Sequence, residues 1–563
     1  MKKLKIMAFA LSCFLICAAF AGCKVTPPPP PPPGKTELQV FITARGYGSA
    51  FAEALAEAYM EENDGIYVRV LTPTPDPNDV AVSLKAGPSK NDADVYFLIH
   101  NGIFSQLSQA GYVSGYSGPA WAELSDVYNS PLEGYQESGE GILIKDFMNP
   151  DVTDMLTYKD GKQYSVSWSP GLTGLLYNKT LWDKTNKNLR EASPAQAEME
   201  LPKTTKEMFA LFDRISGFPT GIKGGTSSEP VFPFSYSGIN NYMHYLTRTW
   251  WPQYDGKAKA FAFLEGKDDE TGLYTADIYN SQGRLAAYDA ARSMILQTNK
   301  YVSSKDAATE YLPAQLNFLR GKAFFNVNGD WLEREASGSF NPGEADIAFM
   351  RVPVISDIVN NPKLAAVFTG SDANKESLLV ETIKYIDYTI GEGPAVSKPA
   401  FVDTHPEEYQ FLRDARLIQC CEQTYLAAIP DYSAQKAEAK DFLKFMLSKK
   451  GQEIFMSKTF GTRAPLEVNA EQFEYYGKPA TTVMCKSKLQ LTSNWIPFSP
   501  DSNRHPMMYL SNIQTYMGDG TSMTTAFGAS NPISANAYWG AEVNTYHDGR
   551  WPGLMAAAGV SNP

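Results

Sequence analysis

The apolar positions after residue 37 switch between a strand-like and a helix-like period. Leu38 to Thr43 reads LQVFIT, a short apolar run that predicts a buried strand, and the turn A-R-G-Y-G closes it. Phe51, Leu55, Ala58 and Tyr59 then recur at helical spacing up to Gly65, a plausible stop, and IYVRVL (Ile66 to Leu71) returns to strand pattern. ADVYFLI (Ala93 to Ile99) is a further β-rich run, ending at His100, Asn101 and Gly102. The alternation predicts an α/β fold on a parallel, doubly wound sheet, whose ligands sit where strands end and loops splay apart. The turn G-Y-G at Gly46 to Gly48 is not a dinucleotide fingerprint, because Phe51 stands where a third glycine is needed. It can instead present Tyr47 at the carboxyl edge of the sheet.

The first residues follow a different logic. Lys2, Lys3 and Lys5 precede an apolar stretch from Ile6 to Phe20, and small residues then lead into Cys23. This is the pattern of a signal peptide, and its apolar core of about fifteen residues is short for a membrane span. The sequence F-A-G-C resembles a lipoprotein processing site, with Cys23 as the first mature residue and the carrier of the lipid. A plain secretory signal or an uncleaved anchor is the alternative, and either also places the body of the chain outside the cytoplasm. Pro27 to Pro33 follow without interruption. Fixed φ and absent N–H groups make such a run an extended spacer of roughly 20 Å. The expected location is the outer face of the bacterial cytoplasmic membrane, held through the lipid alone.

Length and charge narrow the picture. The chain has 563 residues, more than one core normally serves, so two lobes are expected beyond the signal segment. The formal charge is -12, more negative still once the signal lysines are gone, which argues against nucleic acid as a partner. Aromatic residues make up 12% of the chain. Of six cysteines, Cys13 and Cys17 leave with the signal and Cys23 is lipidated. Cys420, Cys421 and Cys485 remain, enough for one bridge to Cys485 or for three thiols, and their spacing suggests no metal site.

Three stretches carry a resemblance. YSVSWSPGLTGLLYNKTLWDKT, starting at Tyr164, and then LPKTTKEMFALFDRI contain Leu176, Tyr177, Asn178, Lys179 and Leu181, with Thr205 at a position where tryptophan is usual. GKAFFNVNGDWL (residues 321–332) contains an N-G-D-W segment, and ADIAFMRVPV (345–354) is followed downstream by AAIPDYSAQKAEAKDFLKFMLSKKGQEIFMSKTFGTRAPL (427–466). In this order they resemble family 1 extracellular solute-binding proteins of ABC transporters, maltodextrin-binding relatives in particular. The resemblance implies two doubly wound α/β lobes joined by a hinge, with the ligand cleft between them. It places residues 37–163 and 355–470 in an N-terminal lobe, with 356–424 as an insertion, and residues 164–354 and 471–563 in a C-terminal lobe. Residues 1–22 are the signal peptide and 23–36 the anchored linker.

A sugar offers directional hydroxyls and a flat C–H face, so its sites combine aromatic rings with carboxylates and amides. The expected ligand contacts are Trp331 as platform, Asp330 and Asn328 as hydroxyl partners, Trp168 at the lobe crossing, Tyr47 with Arg45 on the first lobe, and Tyr236, Trp250 and Trp251 from the cluster PFSYSGINNYMHYLTRTWW. By resemblance the expected partners are a carbohydrate and the membrane permease, the protein itself acting as a monomer without a cofactor. An enzyme reading lacks its signatures: GxSxG and HExxH are absent, and the five histidines are scattered. A glycan hydrolase working through a pair of carboxylates stays open as one alternative; a surface glycan-binding lipoprotein without a transporter is the other, and the strand–helix alternation argues against its helical type.

Overall fold

The computed structural model describes residues 30–43, 46–72, 84–88, 93–98, 113, 116–136, 141–158, 160–192, 197–226, 229–240, 242–341, 344–422, 425–468, 495–497 and 522–563. Cys23, Arg45 and Cys485 lie outside them. Two mixed sheets organise these residues. The first has the order β2-β1-β3-β10-β4, built from β1 (Thr36–Ile42), β2 (Ile66–Leu71), β3 (Val95–Leu98), β4 (Val166–Ser169) and β10 (Tyr425–Ala428). The second has the order β6-β7-β5-β8, built from β5 (Thr173–Asn178), β6 (Phe232–Ser235), β7 (Ala323–Gly329) and β8 (Ile347–Met350).

β1 pairs in parallel with both β2 and β3, and helix α1 (Ala50–Glu62) makes the crossover between β1 and β2, as the sequence pattern predicts. β6 and β7 are also parallel, and the other pairings within these two sheets are antiparallel. β10 runs antiparallel to β3 and β4, and β5 runs antiparallel to β7 and β8. These are the strands next to the lobe crossings, so their direction is set by the chain leaving one sheet for the other rather than by a local crossover helix. Between β4 and β5 the chain changes sheet within Pro170, Gly171 and Leu172. Downstream, β9 (Gln419–Cys421) lies beside this crossing, its Cys421 bridged to Leu172, before the chain enters β10.

Polar residues fix the ends of the elements around the second sheet. Asn178 closes β5 by accepting the Leu181 N–H at 2.9 Å while its amide donates to the Phe318 carbonyl. The next stretch starts a helix at Thr205, and Thr204 accepts the Glu207 N–H at 3.2 Å as its N-cap. Of residues 356–424, read from the sequence as an insertion, the part 356–418 packs on the second lobe. Asp387 is the anchor: Arg416 donates to it twice, at 2.8 and 3.0 Å, and Lys203 once at 2.7 Å. Burial alone would raise this carboxyl, but Arg416 and Lys203 outweigh burial and hold it below its ordinary value. Cys420 and Cys421 are buried free thiols, and burial pushes the Cys420 thiol up to about 11. Among the described residues no helix is long and apolar enough to cross a membrane.

The last described segment, 522–563, is also tied to the second lobe. Glu542, on the helix Ala535–Val543, pairs with Arg284, and both side chains are buried. The guanidinium lies 4.9 Å from the Trp251 ring centroid and 4.7 Å from that of Phe263, which supplies cation–π attraction where water is excluded. Breaking one half of such a pair strands a buried charge. Glu542→Gln is expected to lower unfolding stability by about 3–5 kcal/mol, read as a fall in the urea midpoint, while Arg284→Met with Glu542→Leu recovers most of it. A single variant with the wild-type midpoint would show that the pair does not secure the tail.

Candidate functional site

The carboxyl edges of β1 and β7 face each other across the seam between the lobes. From the first lobe, the turn after β1 presents Tyr47. Gly46 allows it in two ways: its φ of +64° is a left-handed conformation, and a Cβ there would sit 3.3 Å from the Trp331 Cβ. From the second lobe, β7 ends in Gly329, and Asp330 and Trp331 follow. The indole of Trp331 folds back over Gly329 so closely that a Cβ would lie 2.2 Å from the ring. The glycine of the N-G-D-W segment is therefore required by the ring packed on it.

The Tyr47 hydroxyl donates to Asp330 across the seam. Ser169, at the end of β4, is 3.2 Å from the same hydroxyl and accepts the Gly171 N–H at 3.1 Å, so its own proton points to Tyr47. Thr462, also from the first-lobe side, donates to the other Asp330 oxygen at 3.2 Å. Burial and the Asp330 charge push the Tyr47 phenol well above its ordinary value, which keeps it a donor. Rings close the arrangement. Tyr47 meets Tyr425 at 5.0 Å, Trp168 at 5.4 Å and Trp331 at 6.3 Å between centroids, all edge to face. Tyr245 approaches Trp331 at 6.1 Å.

Glu422, between β9 and β10, adds a second acid. Burial would raise its pKa, but the Tyr245 hydroxyl and the neighbouring His244 and Arg248 outweigh it and hold the carboxyl below its ordinary range. A partly buried carboxylate is thus kept ionised and oriented, ready to accept further hydroxyls. Glu335 stands nearby and behaves in the opposite way: burial raises it, only partly offset by the hydrogen bond from Gln315 at 2.6 Å.

Of the residues expected from the sequence, Tyr47, Trp168, Asp330 and Trp331 come together here. Trp168 stands behind the others, stacked on Phe51 at 5.2 Å, with its indole N–H on the Leu98 carbonyl. Of the remaining five, Arg45 lies outside the described residues and the other four do not join them. Asn328 spends its side chain within β7, on Asn326 and the Gly329 N–H. Trp250 is buried and donates to the Pro353 carbonyl at 3.0 Å. Trp251 donates to Asp255 and packs on Phe263. Tyr236 stacks on Phe234 and lies near Asp306. Tyr425, Glu422, Tyr245, His244 and Thr462 were missed. Helix phase carries a signal for one of them: on the helix His244–Asp255, Tyr245 and Arg248 are three apart on one face, while Trp250 and Trp251 point away from it.

Residues 54–378 match the family model described as bacterial extracellular solute-binding protein. No curated protein matches the chain. Among solved structures, a protein from a study of xylan utilization by the thermophilic bacterium Caldanaerobius polysaccharolyticus aligns with a TM-score of 0.54 at 12% identity, covering 91% of this chain and 100% of that one. A sugar transporter from Bacillus licheniformis in complex with stachyose aligns with a TM-score of 0.48 at 14% identity, again covering 91% and 100%. The first of these likenesses shows a shared fold.

Tyr236 generates a prediction through its neighbour. Asp306 is 3% exposed and accepts backbone N–H groups of Ser303 and Tyr236, and burial raises its carboxyl to about 7. Its folded pKa exceeds the unfolded one, so stability is greatest below about pH 4 for this group and is lost as pH rises toward 7. The loss is on the order of 4 kcal/mol. Asp306→Asn is expected to flatten the unfolding free energy between pH 5 and 8 and to gain stability at pH 8; an unaltered pH profile would contradict the assignment.

Proposed function

The chain belongs to the bacterial extracellular solute-binding protein family, and from that membership we propose that it captures a carbohydrate, an oligosaccharide, in the seam between its lobes and delivers it to the permease of an ABC importer. The observation that carries the reading is the meeting of Trp331, Tyr425, Tyr245 and Tyr47 with the carboxylates of Asp330 and Glu422 in that seam. Aromatic faces suit the C–H face of a pyranose, and ionised carboxylates accept its hydroxyls in charge-assisted bonds. Peptides or simple ions offer no such pairing of a flat apolar face with a rim of donors.

Binding across a seam also explains how capture becomes a signal. Micromolar affinity corresponds to roughly 8 kcal/mol, more than one ring and two hydroxyl bonds leave after the costs of ordering. A ligand touching Trp331 on one side and Tyr425 on the other draws on both lobes, so it favours the closed form and drives hinge closure. The permease then reads the closed pair. Cys23 supplies the lipid and Pro27 to Pro33 the spacer that keep this body at the outer face of the membrane.

Xylo-, manno-, malto- and cello-oligosaccharides tested at about one hundred times Kd are expected to reveal a ligand that raises the melting temperature by about 5 °C. Trp331→Ala is expected to abolish that shift while the far-ultraviolet circular dichroism stays that of a folded chain. A full shift in this variant would place the platform elsewhere, and a response to a peptide or a polyol in place of every sugar would overturn the substrate class.

A further inference from the structure

The aromatic surface around Trp331 does not end inside the seam. Trp331 and Tyr245 are 4% and 3% exposed, Tyr242 beside them is partly exposed, and Ile239, on the turn that leads to Tyr242, is 58% exposed. Ring centroids follow one another at 6.1 Å from Trp331 to Tyr245 and at 5.3 Å from Tyr245 to Tyr242. Each step is close to the width of a pyranose. Burial, with the charges of Glu335 and Glu422 adding to it, pushes the Tyr242 phenol above its ordinary value, so it stays a hydroxyl donor near both acids.

Ile239 is held in the open by its turn, which joins β6 to the helix His244–Asp255. The Ser237 hydroxyl donates to the Thr309 carbonyl at 3.0 Å, the Gly238 N–H to the Asp306 carbonyl at 3.0 Å, and the Tyr311 N–H to the Asn240 side-chain oxygen at 2.9 Å. From the C-terminal segment, the Thr524 hydroxyl donates to the Gly238 carbonyl at 2.8 Å. A single exposed apolar residue is ordinary. One that is clamped where a line of rings reaches the surface continues that line.

We propose that Tyr242 and Ile239 form an outer sugar subsite continuous with Trp331, so that the protein takes a linear oligosaccharide with its inner end in the seam and its outer rings on this turn. The inference rests on the carbohydrate reading and adds chain length to it. Exposure rises along the line, so the inner end of the ligand is enclosed and the outer end open. A disaccharide fills the enclosed part and leaves the turn bare. A tetrasaccharide also covers the Tyr242 ring and the Ile239 side chain, which removes apolar surface from water and adds a stacking contact. The protein therefore selects by length as well as by ring chemistry.

Calorimetric titrations of the full chain with the disaccharide and the tetrasaccharide of the xylo-, manno-, malto- and cello- series test the subsite. In the series that binds, wild type is expected to hold the tetrasaccharide about fivefold more tightly than the disaccharide, the worth of one aromatic contact. Tyr242→Ala is expected to remove that gain while its disaccharide affinity stays within about twofold of wild type. Ile239→Ser, at an exposed position where folding is not at stake, is expected to remove part of the gain. Equal affinity of wild type for the two lengths, or a gain that both variants retain, would overturn the subsite and leave the carbohydrate reading standing. A loss of the same size for both lengths in Tyr242→Ala would make the ring a support of the seam and sink the subsite too. If neither length in any series binds the folded wild type, the carbohydrate reading fails and the subsite falls with it.

Discussion

A carboxylate buried in the seam between two lobes must find its hydrogen-bond donors there, and Asp330 finds them on the opposite lobe. Left without partners, a buried carboxylate costs several kcal/mol. The Tyr47 phenol and the Thr462 hydroxyl meet that demand from the first-lobe side, on two separate loops. Much of the surrounding construction serves this meeting. Gly46 lets the first-lobe turn come within reach of Trp331, and Gly329 makes room for the indole that flanks the acid. Ser169 fixes the phenol from below, and Trp168 fills the space behind it.

The same seam holds two acids in different states, and the difference follows from their neighbours. Glu422 has Tyr245, His244 and Arg248 close by and stays ionised, whereas Glu335 has an amide partner and is raised by burial. A site with one firmly charged acceptor, one acceptor occupied by an internal hydroxyl and a set of edge-on rings is suited to an uncharged, hydroxyl-rich ligand. The residues of the second lobe stand on a rigid base: Asn178 and Thr204 close the ends of its elements, Asp387 anchors the segment after residue 355 to it, and the Arg284–Glu542 pair fastens the helix Ala535–Val543 to it.

How much of this was legible in the sequence depends on the range of the interaction. Local patterns carried the first three strands and the helix between the first two, because period is a property of neighbouring residues. The N-G-D-W segment marked Asp330 and Trp331, and the glycine turn marked Tyr47. Direction was harder to read: β5 and β10 are antiparallel to their neighbours because the chain arrives from the other lobe, which no window of residues reveals. Trp250 and Trp251 were taken from the aromatic cluster by its place in the resemblance, whereas in the folded chain both are buried on partners away from Trp331 and Tyr245 approaches it. Glu422 and Tyr425 gave no sign, since their place depends on a return crossing some ninety residues after β7. Residues 356–424 read as an insertion because the anchor among them, Asp387, meets Lys203 and Arg416 only in the folded chain.

The central claim is that the seam between the lobes, and no other surface, receives the sugar. A crystal structure of the protein grown with whichever oligosaccharide stabilises it most tests this directly. The account predicts a pyranose ring lying against Trp331 and a sugar hydroxyl on Asp330. Sugar bound at any other surface would contradict it.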